Sequence, residues 1–479
     1  MFGVIFVFTK LRMRKGGAMD NSMDINVIVE MIQNKQFRAL REYLDTLNPA
    51  DIAEVMEDLV DDDKITYEQL PKFYRLLPKD LAADTFVELN PDLQEELIKA
   101  LTDKEIREVM DDMFVDDAVD VIEEMPANVV KRMIQNVDAE TRRTINQILN
   151  YPEDSAGSIM TIEYVDLHPD MTVKDAFEHI RKTGLEKETI YICYVTDKRK
   201  LIGLVSVRDL LLHPYEALIK DIMEEDVIFV HTTDDKELVA QMLAKYDFTA
   251  LPVVDNDDRL VGIVTVDDAI DVLTEEATED IEKMAAIMPS EHPYLRSSVW
   301  EIWKQRIPWL LVLMVSSTFT GIILNKYEAA LDAVVALTAF IPMLMDTSGN
   351  CGSQASVAII RSMSLGEVEL SDILKVVWKE FRVSLLCGAV LSVVSFLKLI
   401  FLDGMLLGNT GVSVIIAAVV SISLFVTVVL AKIVGCSLPF AAKKLGADPA
   451  VMSSPFITTI VDALSLLTYM TVATLLLHL

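Results

Sequence analysis

The chain is poor in the residues on which thiolate, zinc and nucleotide-hydrolysing chemistry depends. Its four cysteines, Cys193, Cys351, Cys387 and Cys436, form no C-x-x-C pair, and three lie in apolar stretches. That says little by itself and suits a reduced, intracellular setting. Six histidines in 479 residues make no H-E-x-x-H or comparable ligand spacing, so no zinc site is expected. No Walker motif occurs, which argues against nucleotide hydrolysis, and the chain reads as a non-enzyme. Basic residues are also scarce, 43 Lys and Arg against 74 Asp and Glu, for a net charge of -31. The shortage is local. From Glu301 onward there are 11 acids and 11 bases, and the remaining 63 acids and 32 bases all precede it. An acidic half of this kind repels nucleic acid and attracts cations. At the N-terminus, apolar Met1–Phe8 precedes basic Lys10–Lys15, the reverse of a secretory signal. Residues 1–23 read as an extension, with Met19 and Met23 as alternative starts.

What the second part has in abundance is apolar sequence. Runs at 307–325, 329–347, 383–402, 411–437 and 455–478 each supply roughly 20 residues, enough for a hydrocarbon core of about 30 Å. A five-helix, all-α transmembrane domain over 304–479 is expected. Lys304 and Arg306 precede the first run; Arg361, Lys375, Lys379 and Arg382 lie between the second and third; Lys443 and Lys444 lie between the fourth and fifth. Basic loops stay in the cytoplasm, which puts the N-terminal half inside and, for five spans, the C-terminus outside a cell membrane.

Two polar features interrupt these runs. Asp462 lies deep in the fifth, on one helical face with Ser454, Thr458, Thr459, Ser465 and Tyr469. A carboxylate facing lipid costs several kcal/mol, so this stripe is expected to line water and carry an ion. The end of the second run, from Pro342 to Gln354, holds Asp346, Gly349, Asn350 and Gly352. It reads as a helix broken at membrane depth, whose freed carbonyls can face a cation.

The N-terminal half is repetitive. Residues 24–150 read as an acidic α-solenoid of short helices, with segments 101–113, 113–125 and 125–137 recurring every 12 residues. Residues 156–277 hold a duplication: Ser158-Ile-Met160 to Leu201–Leu211 parallels Asp221-Ile-Met223 to Leu260–Ile270. Each copy reads strand, helix, strand, strand, helix, an α/β pattern. The run Gly262-Ile-Val-Thr-Val-Asp-Asp268 makes it resemble a tandem pair of CBS domains, 151–217 and 218–277. That resemblance implies an adenine nucleotide in the cleft between copies, with Ser206, Arg208 and Asp209 from the first and Thr265 and Asp268 from the second. Tyr191 and Phe248 are candidates to flank the base.

The second copy runs into Asp267, Asp268, Asp271, Glu275, Glu276, Glu279, Asp280 and Glu282, with Lys283 the one base, at the end. Carboxylates crowded on one helical face repel, and bridging divalent cations relieve that repulsion. A connecting helix is expected over 278–303.

The order of domains, together with Gly349-Asn-Cys-Gly-Ser-Gln354 and Val461-Asp-Ala-Leu-Ser-Leu-Leu467, resembles the bacterial MgtE magnesium transporter family over nearly the whole chain beyond residue 24. The resemblance implies a homodimer with a central Mg²⁺ pore, Asp462 as its acid and Asp448 as an acid at its cytoplasmic mouth. Gly349, Asn350, Gly352, Gln354, Thr458, Thr459 and Ser465 are the candidate pore lining. It further implies cytosolic Mg²⁺ sensors at Asp247, Asp268, Asp271, Glu276, Glu279 and Asp280, and ATP at the CBS pair. Asp346 departs from the family, whose members often carry a small residue there. A Na⁺- or H⁺-coupled exchanger of divalent cations is the alternative these residues leave open.

Overall fold

The computed structural model describes residues 25–62, 64–290, 294, 297–406, 413–452 and 454–478, so the 1–23 extension lies outside the described residues. The chain forms two compact units, Met1–Leu273 and Thr274–Leu479.

The first unit opens with ten helices: α1 (Ile25–Gln33), α2 (Phe37–Leu44), α3 (Pro49–Asp61), α4 (Leu70–Tyr74), α5 (Lys79–Val87), α6 (Pro91–Ala100), α7 (Asp103–Asp112), α8 (Val115–Glu124), α9 (Ala127–Asn136) and α10 (Ala139–Ile148). From α6 to α10 each is ten residues long, and one begins every twelve. The two intervening residues repeat a device. Leu101, Met113, Met125 and Val137 leave each helix in extended backbone, and the following residue caps the next. Thr102 and Asp138 do so with side-chain oxygens that accept from helix N–H groups. α7 packs mainly on α9 and α8 on α10, each against the next but one, while α6 packs on α9, which buries Leu97, Ile106, Val119, Met133 and Ile145 completely.

The CBS pair follows in the expected order. Copy one is β1 (Val165–Leu167), α11 (Val173–Thr183), β2 (Ile192–Asp197), β3 (Lys200–Ser206) and α12 (Val207–Leu212). After α13 (Ile219–Ile222), copy two is β4 (Val230–His231), α14 (Lys236–Tyr246), β5 (Ala250–Val254), β6 (Leu260–Thr265) and α15 (Val266–Met284). Both sheets have a parallel first pair and an antiparallel second pair. The leaders are exchanged. Met160 and Thr161, ahead of copy one, lie over Gly262 of copy two, while Met223 and Glu224 lie over Gly203 of copy one. Thr161 bridges to Ile263 and Glu224 to Leu204. A Cβ on Gly262 would stand 2.7 Å from the Thr161 carbonyl, so only glycine admits this approach.

In the second unit, α16 (Val299–Ser316) and α17 (Thr318–Lys326) are followed by α18 (Glu328–Ala333), a 3₁₀ turn (Val335–Phe340) and α19 (Ile341–Ser364). Then come α20 (Ile373–Leu397), prolonged by a π-helical stretch to Leu406, α21 (Val414–Lys444), and α22 (Ser454–Leu477). Among the described residues four helices are long and apolar enough to cross a membrane: Val299–Lys326, Leu370–Leu406, Val414–Lys444 and Pro455–Leu477. α21 is central and packs on α19, α20 and α22, whereas no residue of α16 or α17 is buried within the chain.

Two expectations are corrected. The second run, 329–347, is three pieces, and the long helix there begins at Ile341 and continues to Ser364. Pro342 sits in its first turn, where a missing N–H costs nothing. Neither glycine breaks α19, so its carbonyls remain committed to the helix. Gly349 and Gly352 are buried and let other helices approach: a Cβ on Gly435 of α21 would stand 2.2 Å from the Gly352 oxygen. The connecting helix over 278–303 is also not one helix. α15 ends at Met284, Ala286 adopts φ +57°, and α16 starts only at Val299, behind a Ser298–Glu301 capping box.

Candidate functional site

The seam between α19 and α22 is built from small and hydroxylated residues. Ser348 and Ser465, both buried, share a hydrogen bond of 2.6 Å, and Ser353 and Thr458 share one of 3.2 Å. Gly349 faces Thr458 and Asp462, and Gly352 faces Ile457 and Val461. Thr459 donates to the Pro455 carbonyl of its own helix. Tyr469, fully buried, donates to the Leu337 carbonyl at 3.0 Å. Asp462 therefore sits where two helices touch through glycine, and its Oδ1 is buried with no hydrogen-bond partner. Asn350 and Gln354 of α19 are exposed within the chain.

Asp448, in the α21–α22 connection, caps a 3₁₀ turn through the Ala450 N–H at 2.8 Å. Its other oxygen pairs with Lys283 of α15 at 2.7 Å, and Lys283 also meets Glu279 at 2.6 Å. Ser364, at the end of α19, donates to Asp280 at 2.6 Å. The second half of α15 is thereby tied to one end of the helical seam, through the end of α19 and the residue before α22. Sequence reasoning missed an ion pair inside the unit: Lys432 of α21 meets Glu380 of α20 at 3.4 Å, their side chains only 7% and 16% exposed. A lysine within an apolar run was the available signal.

In the first unit carboxylates crowd together. Asp116, Asp117 and Asp120 of α8 lie near Asp267 and Asp268 of α15 and Glu188. Glu88 lies near Asp271. Burial, reinforced by neighbouring charge from Asp268, holds the Asp116 carboxyl well above its usual range. The same causes push Asp117 and Asp120 up to about 7. Glu188 rises to about 7 by burial and the charges of Asp267 and Asp117. Asp268 rises to about 6, by burial, although the Thr265 hydroxyl, donating at 2.6 Å, opposes this. Among the described residues no three such side chains stand close enough to hold a metal as they are. The acids of α8 were not named from the sequence; three aspartates and two glutamates on one ten-residue helix were the visible sign. Asp247 stands apart, exposed in left-handed backbone at the end of α14.

At the CBS pair, Ser206 with Asp209 and Thr265 with Asp268 make equivalent hydroxyl-to-carboxylate bonds at the starts of α12 and α15. Arg208 is exposed and Tyr191 is 71% exposed, while Phe248 stacks on Tyr246 at 5.4 Å. The two copies meet through Tyr194, Ala250, Leu260 and Ile263.

A module of acidic helices, a CBS pair and a set of apolar helices with a half-buried carboxylate at a helix seam point to the class: a membrane cation-transport protein. Family models agree, matching MgtE divalent cation transporter at 341–472, MgtE intracellular N domain at 47–154 and CBS domain at 156–216 and 219–275. The chain is 38% identical over 454 residues to the magnesium transporter MgtE of Thermus thermophilus, covering 94% of this chain and 97% of that one. It is 33% identical to that of Bacillus subtilis, with the same coverage of each. A crystal structure of the cytosolic domain of the Mg²⁺ channel MgtE in complex with ATP is 38% identical, with a TM-score of 0.47, over 51% of this chain and 97% of that one. The chain belongs to the MgtE family.

Proposed function

We propose that the chain carries Mg²⁺ into the cell as a homodimer spanning the cell membrane five times per subunit, with Asp462 as the acceptor in the pathway. The observation that carries this is the Asp462 carboxylate itself, half-buried at a helix seam with one oxygen enclosed and unpartnered. Mg²⁺ sheds water reluctantly, so carboxylate, hydroxyl and amide acceptors spaced along a path can recognise the hydrated ion. A divalent ion entering a negative cytoplasm gains roughly 4.6 kcal/mol per 100 mV, which removes the need for ATP hydrolysis.

The acidic module closes the path when internal Mg²⁺ is high. Mg²⁺ bridging the acids of α8 and the start of α15 relieves their repulsion. The same α15 carries Asp280, which holds Ser364, and Lys283, which holds Asp448, so a shift of this helix reaches the seam. An adenine nucleotide at the CBS pair, met by Arg208 and Tyr191, modulates that response. In a strain that requires added Mg²⁺, Asp462→Asn should abolish growth rescue while reaching the membrane normally. Full rescue by Asp462→Asn refutes the assignment.

A further inference from the structure

Asp346 belongs to the same face of α19 as the exposed amides. Pro342, Asp346, Asn350, Gln354 and Arg361 are all exposed within the chain, and at 100° per residue they fall in one stripe. Four polar side chains on one face of a helix packed among apolar helices need water or protein beside them, because hydrocarbon would penalise each. Asp346 stands one turn, about 6 Å, from Asn350 toward the helix N-terminus. Gly349, three residues and one turn after Asp346, faces the Asp462 carboxylate, whose Oδ1 would stand 3.5 Å from its added Cβ, so the two acids are neighbours across the seam. Among the described residues neither enters an ion pair, whereas Asp403, Asp448 and Glu380 are each held by a lysine. Two uncompensated charges thus lie on one side of the unit, next to a polar, uncovered stripe.

We propose that Asp346 is a specificity-determining residue of the ion pathway, a second carboxylate that concentrates divalent cations beside Asp462. The inference rests on the reading of Asp462 as a pathway residue. Two neighbouring negative charges favour one divalent ion over one monovalent ion, because each opposite charge adds its own attraction.

The test uses the full chain in proteoliposomes, with Mg²⁺ uptake normalised to inserted protein. Asp346→Asn and Asp346→Gly should raise the external Mg²⁺ giving half-maximal uptake by about threefold to tenfold, the lower end expected for one charge in a partly wet site. The preference for Mg²⁺ over Na⁺ should fall in parallel. Asp346→Cys should behave like the neutral variants, recover toward wild type when a sulfonate-bearing thiol reagent restores the negative charge, and lose uptake with an ammonium-bearing one. Half-maximal Mg²⁺ and ion preference unchanged in both neutral variants, or a cysteine variant indifferent to the sign of the attached charge, overturn the proposal. Asp462→Asn, run beside them, separates the two readings. If it too transports like wild type, the pathway assignment fails; if it is inactive while Asp346 variants are normal, only the role of Asp346 fails.

Discussion

The two units treat carboxylates in opposite ways. In the first, Asp116, Asp117, Asp120, Glu188 and Asp268 are pressed together, and what acts on them is burial and one another. In the second, Glu380, Asp403 and Asp448 each meet a lysine at 3.4, 2.9 and 2.7 Å, whereas among the described residues Asp346 and Asp462 enter no ion pair. A crowd of like charges stores energy that a solvated divalent ion can release. A unit that pairs these three acids with lysines keeps its negative field near the acids that have no such partner. Net charge describes neither unit, since what counts is which carboxylates keep company with a base.

The contrast can be broken most severely inside the membrane unit. Lys432→Met leaves Glu380 buried without its partner and should cost about 3–5 kcal/mol. The double variant Lys432→Met/Glu380→Gln should recover most of it. Thermal denaturation in detergent reads both, and a single variant as stable as wild type would show the pair to be idle.

Backbone contact in the same unit comes next. Gly435→Ala places a methyl 2.2 Å from the Gly352 oxygen, a backbone atom that cannot step aside, so a loss of about 1–3 kcal/mol is expected. Gly321→Ala in α17, with nothing within 4 Å of the added carbon, should lose nothing in the same assay.

In the acidic module the lever is pH. Carboxyls raised from 3.8 to about 6–7 hold protons in the folded state that the unfolded chain has released. Their contribution is therefore fully present below about pH 3.8 and is lost as pH rises through about 7. Without metal, amide protection of α8, corrected for intrinsic exchange, should be higher at pH 5.5 than at 7.5, and Mg²⁺ should restore it at 7.5. Asp116→Asn/Asp120→Asn should flatten both responses; equal protection at the two pH values without metal would count against the crowding of charge described here.

The smallest effect is expected at the tie between α15 and Asp448. Both side chains are partly exposed, 24% and 35%, so Lys283→Met should cost less than about 1 kcal/mol. Its signature is functional: freeing Asp448 should alter the internal Mg²⁺ at which uptake is halved. An unaltered closing concentration would reduce the pair to a surface contact.

Local physics is legible in the linear chain. The twelve-residue recurrence gives ten-residue helices because Leu101, Met113, Met125 and Val137 each leave the helix at the same phase and cap residues follow them. The duplicated strand and helix patterns, the apolar lengths and the isolation of Asp462 among apolar neighbours rest likewise on residues a few positions apart. Tertiary structure decided the rest. Met160 lies on Gly262 rather than on the glycine of its own copy, because each leader completes the opposite sheet. Glycines that look like helix breakers in α19 are instead contact surfaces, since α21 and α22 approach closely enough to need them. Lys432 finds Glu380 52 residues away, and Asp116 finds Asp268 across a whole CBS copy. Period and composition record what a residue does to its neighbours along the chain. Which charges share a buried space depends on how helices pack, and that is a property of the folded molecule.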